Sequence, residues 1–507
     1  MLLVALALRL INLDERPLWY DEAFAVLFAE KGLDAMLYGT LTPVAGGAAD
    51  IHPLLYYTTL NGWMGVIGQS AFAVRLWSVF LGVLTVAAMF TLARKLINVR
   101  VAWAAAIIAA LAAFHVQYSQ ETRMYALLGL LTLLTTYTFL KASTDRYPSS
   151  YWRYWIIFGV LAALMMYTQQ LSAFYLMAIA GLPIVKRRWQ VIPGLIAGIG
   201  VALLVYFPWL LQLPSQLAKV GSYYWIEKPN IAVFLRTTFS FLVVNLDIPR
   251  QTFVWTLSIA VFLVTLLGAF LLFRLMNQHK GKLATLSGGL TALWLAVIPV
   301  LLMWLVSQVR PVYLERALLP SALLLYLFIG WMLAGEVIPR VLSRLLVIPL
   351  FILFSVGIYF QYTWSTFPNS PFNTVTEQIE SQWQPGDIII HQNKLSALPM
   401  IFYGPELTQT YIGDPPGSPQ DTLALPTQET LGWLANECVQ EAAHGATRIW
   451  WIEFERVATQ AEAAGRSEYR QALEWLNSYF TAIETMTVND LILTLYANPL
   501  PERPSGC

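Results

Sequence analysis

Two adjacent carboxylates, Asp21 and Glu22, follow a short apolar run and sit beside aromatic residues in Leu18-Trp19-Tyr20-Asp21-Glu22. A carboxylate at a membrane surface costs free energy unless it is solvated, paired or used. Asp21 therefore has two readings. It could cap a helix over Ala23 to Lys31, with Glu22 near the positive end. Or it could serve as a general base facing a cavity at the outer leaflet. Three further clusters carry residues able to do chemistry: His52 and Tyr56 in Ile51-His52-Pro53-Leu54-Leu55-Tyr56-Tyr57, Glu121 and Arg123 in Ser119-Gln120-Glu121-Thr122-Arg123-Met124-Tyr125, and Tyr313 and Arg316 between Arg310 and Pro320. Each alone has a plain explanation, such as a surface loop, a snorkelling arginine or a helix start. Together they set acids, a histidine and arginines near one leaflet. Arginine's planar fork, which donates two parallel hydrogen bonds, suits a phosphate or pyrophosphate.

The elements that must position these residues are membrane spans. Hydrophobic residues make up 57% of the 507 and charged residues only 12%, too little charge to wet the surface of a soluble chain this long. The run Met1 to Leu13 lacks a small-residue cleavage site and reads as a retained first span rather than a signal peptide. Ten more segments of suitable length follow, at 71–94, 101–118, 122–141, 154–169, 171–186, 190–211, 252–274, 287–308, 316–335 and 343–364, giving about eleven transmembrane helices. A cytoplasmic N-terminus puts the connections at Arg94 to Arg100, Lys141 to Arg153, Lys186 to Arg188, Arg274 to Lys282 and Arg340 to Arg344 inside. All are basic, as the positive-inside rule expects. The outer face then carries a loop over 14–70 with interfacial helices at Ala23 to Lys31 and Leu54 to Ile67. It also carries the loop 212–250, where Tyr223, Tyr224, Trp225, Glu227 and Lys228 form either a mobile lid or an aromatic belt, and the whole tail.

That tail differs in kind. Residues 366–507 hold 17 acidic and 6 basic residues, leaving 13 and 25 in residues 1–365, so the chain divides into a transmembrane domain and a soluble one. Strands at Gly386 to His391, Arg448 to Phe454 and Asp490 to Tyr496, with helices at Thr374 to Trp383, Glu429 to Ala443 and Glu468 to Phe480, make it a small α/β domain on the external side. It has no Gly-rich phosphate loop and no nucleophile constellation, so packing or acceptor recognition is expected of it. A disulfide between Cys438 and the terminal Cys507 is not expected, and no metal-ligand spacing occurs.

The order Arg9, Trp19-Tyr20-Asp21-Glu22-Ala23, His52-Pro53-Leu54-Leu55-Tyr56-Tyr57, Arg75-Leu76, Ser119 to Leu127, then Tyr313, Arg316 and Leu319-Pro320 resembles a bacterial GT-C glycosyltransferase. The similar branch is that of protein O-mannosyltransferases and the aminoarabinose transferase of lipid A, glycosyltransferase family 39-like, and the likeness covers residues 1 to about 365. The resemblance implies a polyprenyl-phosphate-linked sugar as donor, and an acceptor hydroxyl on a protein, glycan or lipid outside the cytoplasm. It also implies a multi-pass protein of the bacterial inner membrane. It maps the base onto Asp21, with Glu22 in support. Tyr56, Glu121, Arg123, Tyr313 and Arg316 then become substrate contacts. His52 stands where relatives carry a basic residue before proline that contacts the donor phosphate, with Arg123 and Arg316 the next candidates, although histidine is charged only part of the time near neutral pH. An alkyl phosphate leaves without a strong acid, so one base suffices and displacement opposite the phosphate inverts the anomeric carbon. On a helix Asp21 and Glu22 lie about 100° apart, so they cannot face one reacting centre equally. No cofactor is required, although Asp21, Glu22 and Glu121 could gather round Mg or Mn as in oligosaccharyltransferases of the superfamily.

Two other classes compete with this reading. A transporter or lipid flippase would also set charges beside a cavity, but would show internal repeats and broken helices at the midplane; the polar residues here cluster at one face. A scaffold built around the tail would need no such cluster. Nothing in the chain calls for nucleic acid.

Overall fold

A computed structural model describes the chain except for residues 45–46, 145–147, 223–225, 277–282, 415–422, 457–466 and 505. Each apolar segment expected to span is helical, but they differ in reach. Among the described residues, seven helices are long and apolar enough to cross a membrane: Ala71–Leu96, Tyr125–Thr144, Trp189–Leu210, Arg250–Met276, Leu286–Ser307, Glu315–Ala334 and Arg340–Thr363. Val99–Leu111 and Ala113–Ser119, bent by 61° at one break, make an eighth if counted together. Trp152–Thr168 and Gln170–Val185 are apolar but shorter. The first helix, Leu2–Leu10, has nine residues, about 13 Å of rise against a hydrocarbon core of about 30 Å. Composition locates apolar helices; it does not fix their depth.

In chain order, α1 is Leu2–Leu10, α2 Tyr20–Ala29, α3 Leu33–Leu41 and α4 Leu55–Ile67. The spans α5 (Ala71–Leu96) and α6 (Val99–Leu111), the short α7 (Ala113–Ser119) and α8 (Tyr125–Thr144) follow. Side-chain caps start the spans: Ser70 accepts from the Ala73 amide at α5, and Asn98 from the Val101 amide at α6. The break between α6 and α7 frees carbonyls in a buried place. Arg9, itself fully buried on α1, meets them with Nη1 on the Ala110 carbonyl at 3.2 Å, while Nη2 lies 2.9 Å from His115 Nδ1. This is how an arginine inside a bundle is tolerated. The bend turns α7 so that its end delivers residues 119–123 to the site.

The expected basic connections meet at one end of the bundle. Arg274 donates to the carbonyls of Val337 and Glu336, and the Glu336 carboxylate takes Arg100. Arg146 and residues 277–282 lie outside the described residues.

At the other end α2, α3, a two-stranded hairpin (β1 Pro43–Val44, β2 Gly47–Ala48) and α4 form a layer that the tail covers. The tail's sheet runs β4-β3-β5-β7-β6, with β3 Asp387–His391, β4 Gln409–Tyr411, β5 Arg448–Phe454, β6 Thr481–Val488 and β7 Leu491–Ala497. β3 is parallel to β4 and β5, while β5–β7 and β7–β6 are antiparallel. β4 and β6 were not legible, one being three residues long and the other mostly exposed. The helix expected over Glu429 to Ala443 is instead Leu425–Leu431 and a separate turn, Val439–Ala442, with Gly432 left-handed between them. Leu398, Ile401, Tyr411 and Leu431 of the tail share one apolar core with Phe24, Phe28 and Met36. Polar contacts fix the same seam: the Leu18 amide donates to the Tyr403 hydroxyl at 2.8 Å, and Thr427 to the Gly39 carbonyl at 2.8 Å. A Cβ on Gly39 would lie 2.5 Å from Thr430 Oγ1, so only glycine lets this helix pair close. Cys438 and Cys507 form a disulfide, correcting the sequence expectation. Residues 69 apart give no local sign of pairing.

Candidate active site

Helix α2 begins at Tyr20, with Trp19 extended before it and no side-chain cap, so Asp21 and Glu22 both lie in the first turn. Asp21 does not cap. Its Oδ2 accepts from Arg316 Nη1 at 2.7 Å, with Arg123 Nε at 3.8 Å, and its carbonyl accepts from Arg123 Nη1 at 3.2 Å. Burial pushes the Asp21 pKa up, but Arg316, Arg123 and His52 outweigh it and hold the carboxyl below its usual value. Asp21 is thus ionised at neutral pH. Arg316 also lies over Trp19 and Tyr125, 5.7 and 5.6 Å from the ring centroids.

Glu22 points elsewhere, as the 100° step requires. Its two oxygens take Arg75 Nε and Nη2 at 2.9 and 2.6 Å, and Oε1 also accepts from the Thr122 amide at 2.8 Å. Arg75 in turn donates to the carbonyls of Leu13, Arg16 and Pro17. Glu22 is saturated, and its work is to tie α5, the 13–17 turn and the 119–123 turn together.

The remaining expected residues separate in the same way. Tyr56 turns away to Ser78, at 3.2 Å, and its neighbour Tyr57 accepts from Arg123 Nη1 at 3.0 Å. Tyr57, not Tyr56, belongs to the cluster. His52 Nδ1 sits 2.9 Å from Asp50 Oδ1 and the ring stays partly exposed. Tyr313 donates to or accepts from Thr237 at 2.6 Å.

Beside this cluster lies a cavity of about 650 Å³. Glu121, Tyr313, Arg316 and Trp19 line it, together with Ile226 to Asn230 of the 212–250 loop and Pro368 and Asn369 at the start of the tail. Asp21 is not in its wall; Arg316 joins the two. The loop is anchored where Gln308 Nε2 meets the Pro229 carbonyl and Trp304 Nε1 the Asn230 carbonyl. Tyr223, Tyr224 and Trp225 lie outside the described residues. Glu121 Oε1 is buried without a hydrogen-bond partner. Burial above all pushes its pKa up to about 8, with Glu22 and Asp21 adding and Arg316 opposing. Glu121 is therefore a neutral carboxyl near pH 7. Among the described residues no group of three His, Cys, Asp or Glu side chains gathers to hold a metal ion.

Residues 51–211 match the sequence model of the dolichyl-phosphate-mannose-protein mannosyltransferase family. A search of curated proteins gives no match. The structure of Cupriavidus metallidurans ArnT bound to undecaprenyl phosphate superposes with a TM-score of 0.63 over 98% of both chains, at 12% identity. This is the GT-C fold. The superposition shows a shared fold. The apo oligosaccharyltransferase of Archaeoglobus fulgidus is similar at a TM-score of 0.54 and 12% identity, over 99% of this chain and 74% of that one. This chain carries multiple candidate membrane spans and a C-terminal domain built on the five-stranded sheet.

A pH prediction arises from Glu121. Its folded-state pKa lies above the ordinary carboxyl value, so ionisation is resisted in the native protein. The Glu121→Gln variant should gain stability relative to the wild type as pH rises from the ordinary carboxyl range through about 8, with no gain below it. Thermal unfolding midpoints across that range check the sign; a constant difference would refute it.

Proposed function

We propose that this GT-C protein moves a sugar from a polyprenyl-phosphate carrier to an acceptor hydroxyl at the extracytoplasmic face, with inversion. One observation carries the reading: Asp21 is held ionised by Arg316, and Arg316 also lines the cavity. As the acceptor oxygen bonds to the anomeric carbon, its proton passes to Asp21. The bond from that carbon to the phosphate oxygen breaks, and the pair leaves on the phosphate. Arg316 connects both ends, since movement toward the departing phosphate would free Asp21 to take the proton. Arg123 and Tyr57 hold Asp21 from the other side. The undecaprenyl phosphate bound by ArnT and the donor named in the family description support a polyprenyl phosphate. Sidedness rests on the basic connections gathered at the end opposite the tail, and on the tail disulfide, which suits an oxidising compartment. The membrane is then a bacterial inner membrane with the N-terminus cytoplasmic.

The test is donor turnover. Purified protein in detergent, offered polyprenyl-phosphate hexoses and pentoses, should release free polyprenyl phosphate from at least one of them. No release from any would overturn the proposal.

A further inference from the structure

The helix Gln170–Val185 ends in Lys186-Arg187-Arg188-Trp189. Its last turn closes with the Arg187 amide on the Ile184 carbonyl at 3.0 Å and the Arg188 amide on the Pro183 carbonyl at 2.7 Å. Arg187 between them is left-handed, with φ 51°. Glycine takes that conformation at less cost, so an arginine there keeps a third cation in the row at some loss of stability. Lys186 Nζ donates to Ser287 Oγ at 3.3 Å and to Thr291 Oγ1. Both belong to the span Leu286–Ser307, whose far end leads to Tyr313 and the cavity, so this corner lies at the opposite end of the bundle. Arg188 Nη2 donates to the Ser143 carbonyl at 2.8 Å, at the end of α8.

All of these acceptors are neutral, and the ionised group that acts on Lys186 is Arg188, a second cation. Two acids belong to this end of the bundle. Glu336 takes Arg100 at 3.2 Å and lies 3.8 Å from Arg340, while Asp145 lies outside the described residues. Among the described residues, neither Lys186 nor Arg188 is paired with a carboxylate. Lys186 commits two of its three N–H donors and Arg188 one of its five, so both keep donors for a ligand. Beside them Ile184, Val185 and Trp189 are each more than half exposed. That is an apolar surface at the depth of lipid, with an indole where interfacial tryptophans sit.

We infer that Lys186 and Arg188 hold the phosphate of an anionic phospholipid at this corner, with its acyl chains lying along Ile184 and Val185. Basic pockets between membrane helices take such headgroups because charge and spare donors meet the phosphate where the chains stay in hydrocarbon. A zwitterionic lipid brings its own ammonium, which two adjacent cations repel, so the corner selects for net negative charge. The bound lipid ties together the ends of three helices, which Ser143, Lys186 and Ser287 mark. This site is separate from the sugar-transfer cavity, and its test needs no donor.

The probe is dioleoyl phosphatidylglycerol, added to delipidated full-length protein in a nonionic detergent. Retained lipid is counted by native mass spectrometry, and the unfolding midpoint is followed alongside. Phosphatidylcholine with the same chains and inorganic phosphate are the controls. The wild type should retain phosphatidylglycerol and unfold later with it, and neither control should do this. Lys186→Gln and Arg188→Gln should each weaken phosphatidylglycerol binding roughly fivefold, the scale of one basic residue at a lipid surface. Arg344→Gln removes an exposed arginine from another helix of the same end and should leave retention unchanged. Unchanged binding in both Lys186→Gln and Arg188→Gln overturns the inference. So does an equal loss in Arg344→Gln, because the lipid would then read only the general charge of that face. Equal stabilisation by phosphatidylcholine or by inorganic phosphate overturns it as well, the site then reading chains or a free anion. If Lys186→Gln and Arg188→Gln unfold earlier without lipid and Asp145→Asn reproduces that loss, the cations serve an internal acid and the inference falls.

Discussion

Replacing Asp21 by Asn is expected to lower sugar transfer roughly a thousandfold, the scale on which a positioned general base acts. The amide keeps the shape and loses both the negative charge and the lone pair that would take the acceptor's proton. Stability should change far less than activity. Arg316 and Arg123 lose a charge-assisted contact, but Arg316 keeps Trp19 and Tyr125, and Arg123 keeps Tyr57 and the Asp21 carbonyl. The measurement is release of polyprenyl phosphate beside the unfolding midpoint. Asp21→Glu is the informative partner. It restores the charge but moves the oxygens by a methylene, so it should recover folding fully and activity only in part. Full activity in Asp21→Asn would remove the base from Asp21. The neutral carboxyl of Glu121 could not simply replace it, because it would first have to give up its proton.

How much of this was legible in the sequence depends on what each residue needed from its neighbours. The bundle was legible because a 20-residue apolar run leaves the backbone one way to satisfy itself in lipid. Asp21, Arg123 and Arg316 stood out because charge is scarce in this part of the chain, so three charged groups on one leaflet had to meet. Tyr56 and Tyr57 could not be told apart. Adjacent residues near the start of α4 point about 100° apart, and only the packed helix shows that Tyr57 reaches Arg123 while Tyr56 reaches Ser78. The tail's role was hidden because its helices bury against α2 and α3, hundreds of residues away in sequence.

The Arg75–Glu22 pair carries the largest expected effect on stability. Both side chains are 2% exposed, and between them they bond three carbonyls and one amide as well as each other. Removing one partner of such a pair leaves a buried charge without compensation, at a cost of about 3–5 kcal/mol. Arg75→Met should therefore lower the unfolding midpoint sharply, and also release the 13–17 turn. Glu22→Gln should do less harm to that turn, because Arg75 keeps its carbonyls, yet it loosens the Thr122 amide and with it Glu121 and Arg123. The double variant, Arg75→Met with Glu22→Gln, separates charge from scaffolding. If the single-variant cost is mainly a stranded charge, the double variant should recover part of the midpoint lost in Arg75→Met while transfer stays low, since the turn carrying Arg123 remains untied. If the midpoint of Arg75→Met equals that of the wild type, this pair is not what holds the two turns in place.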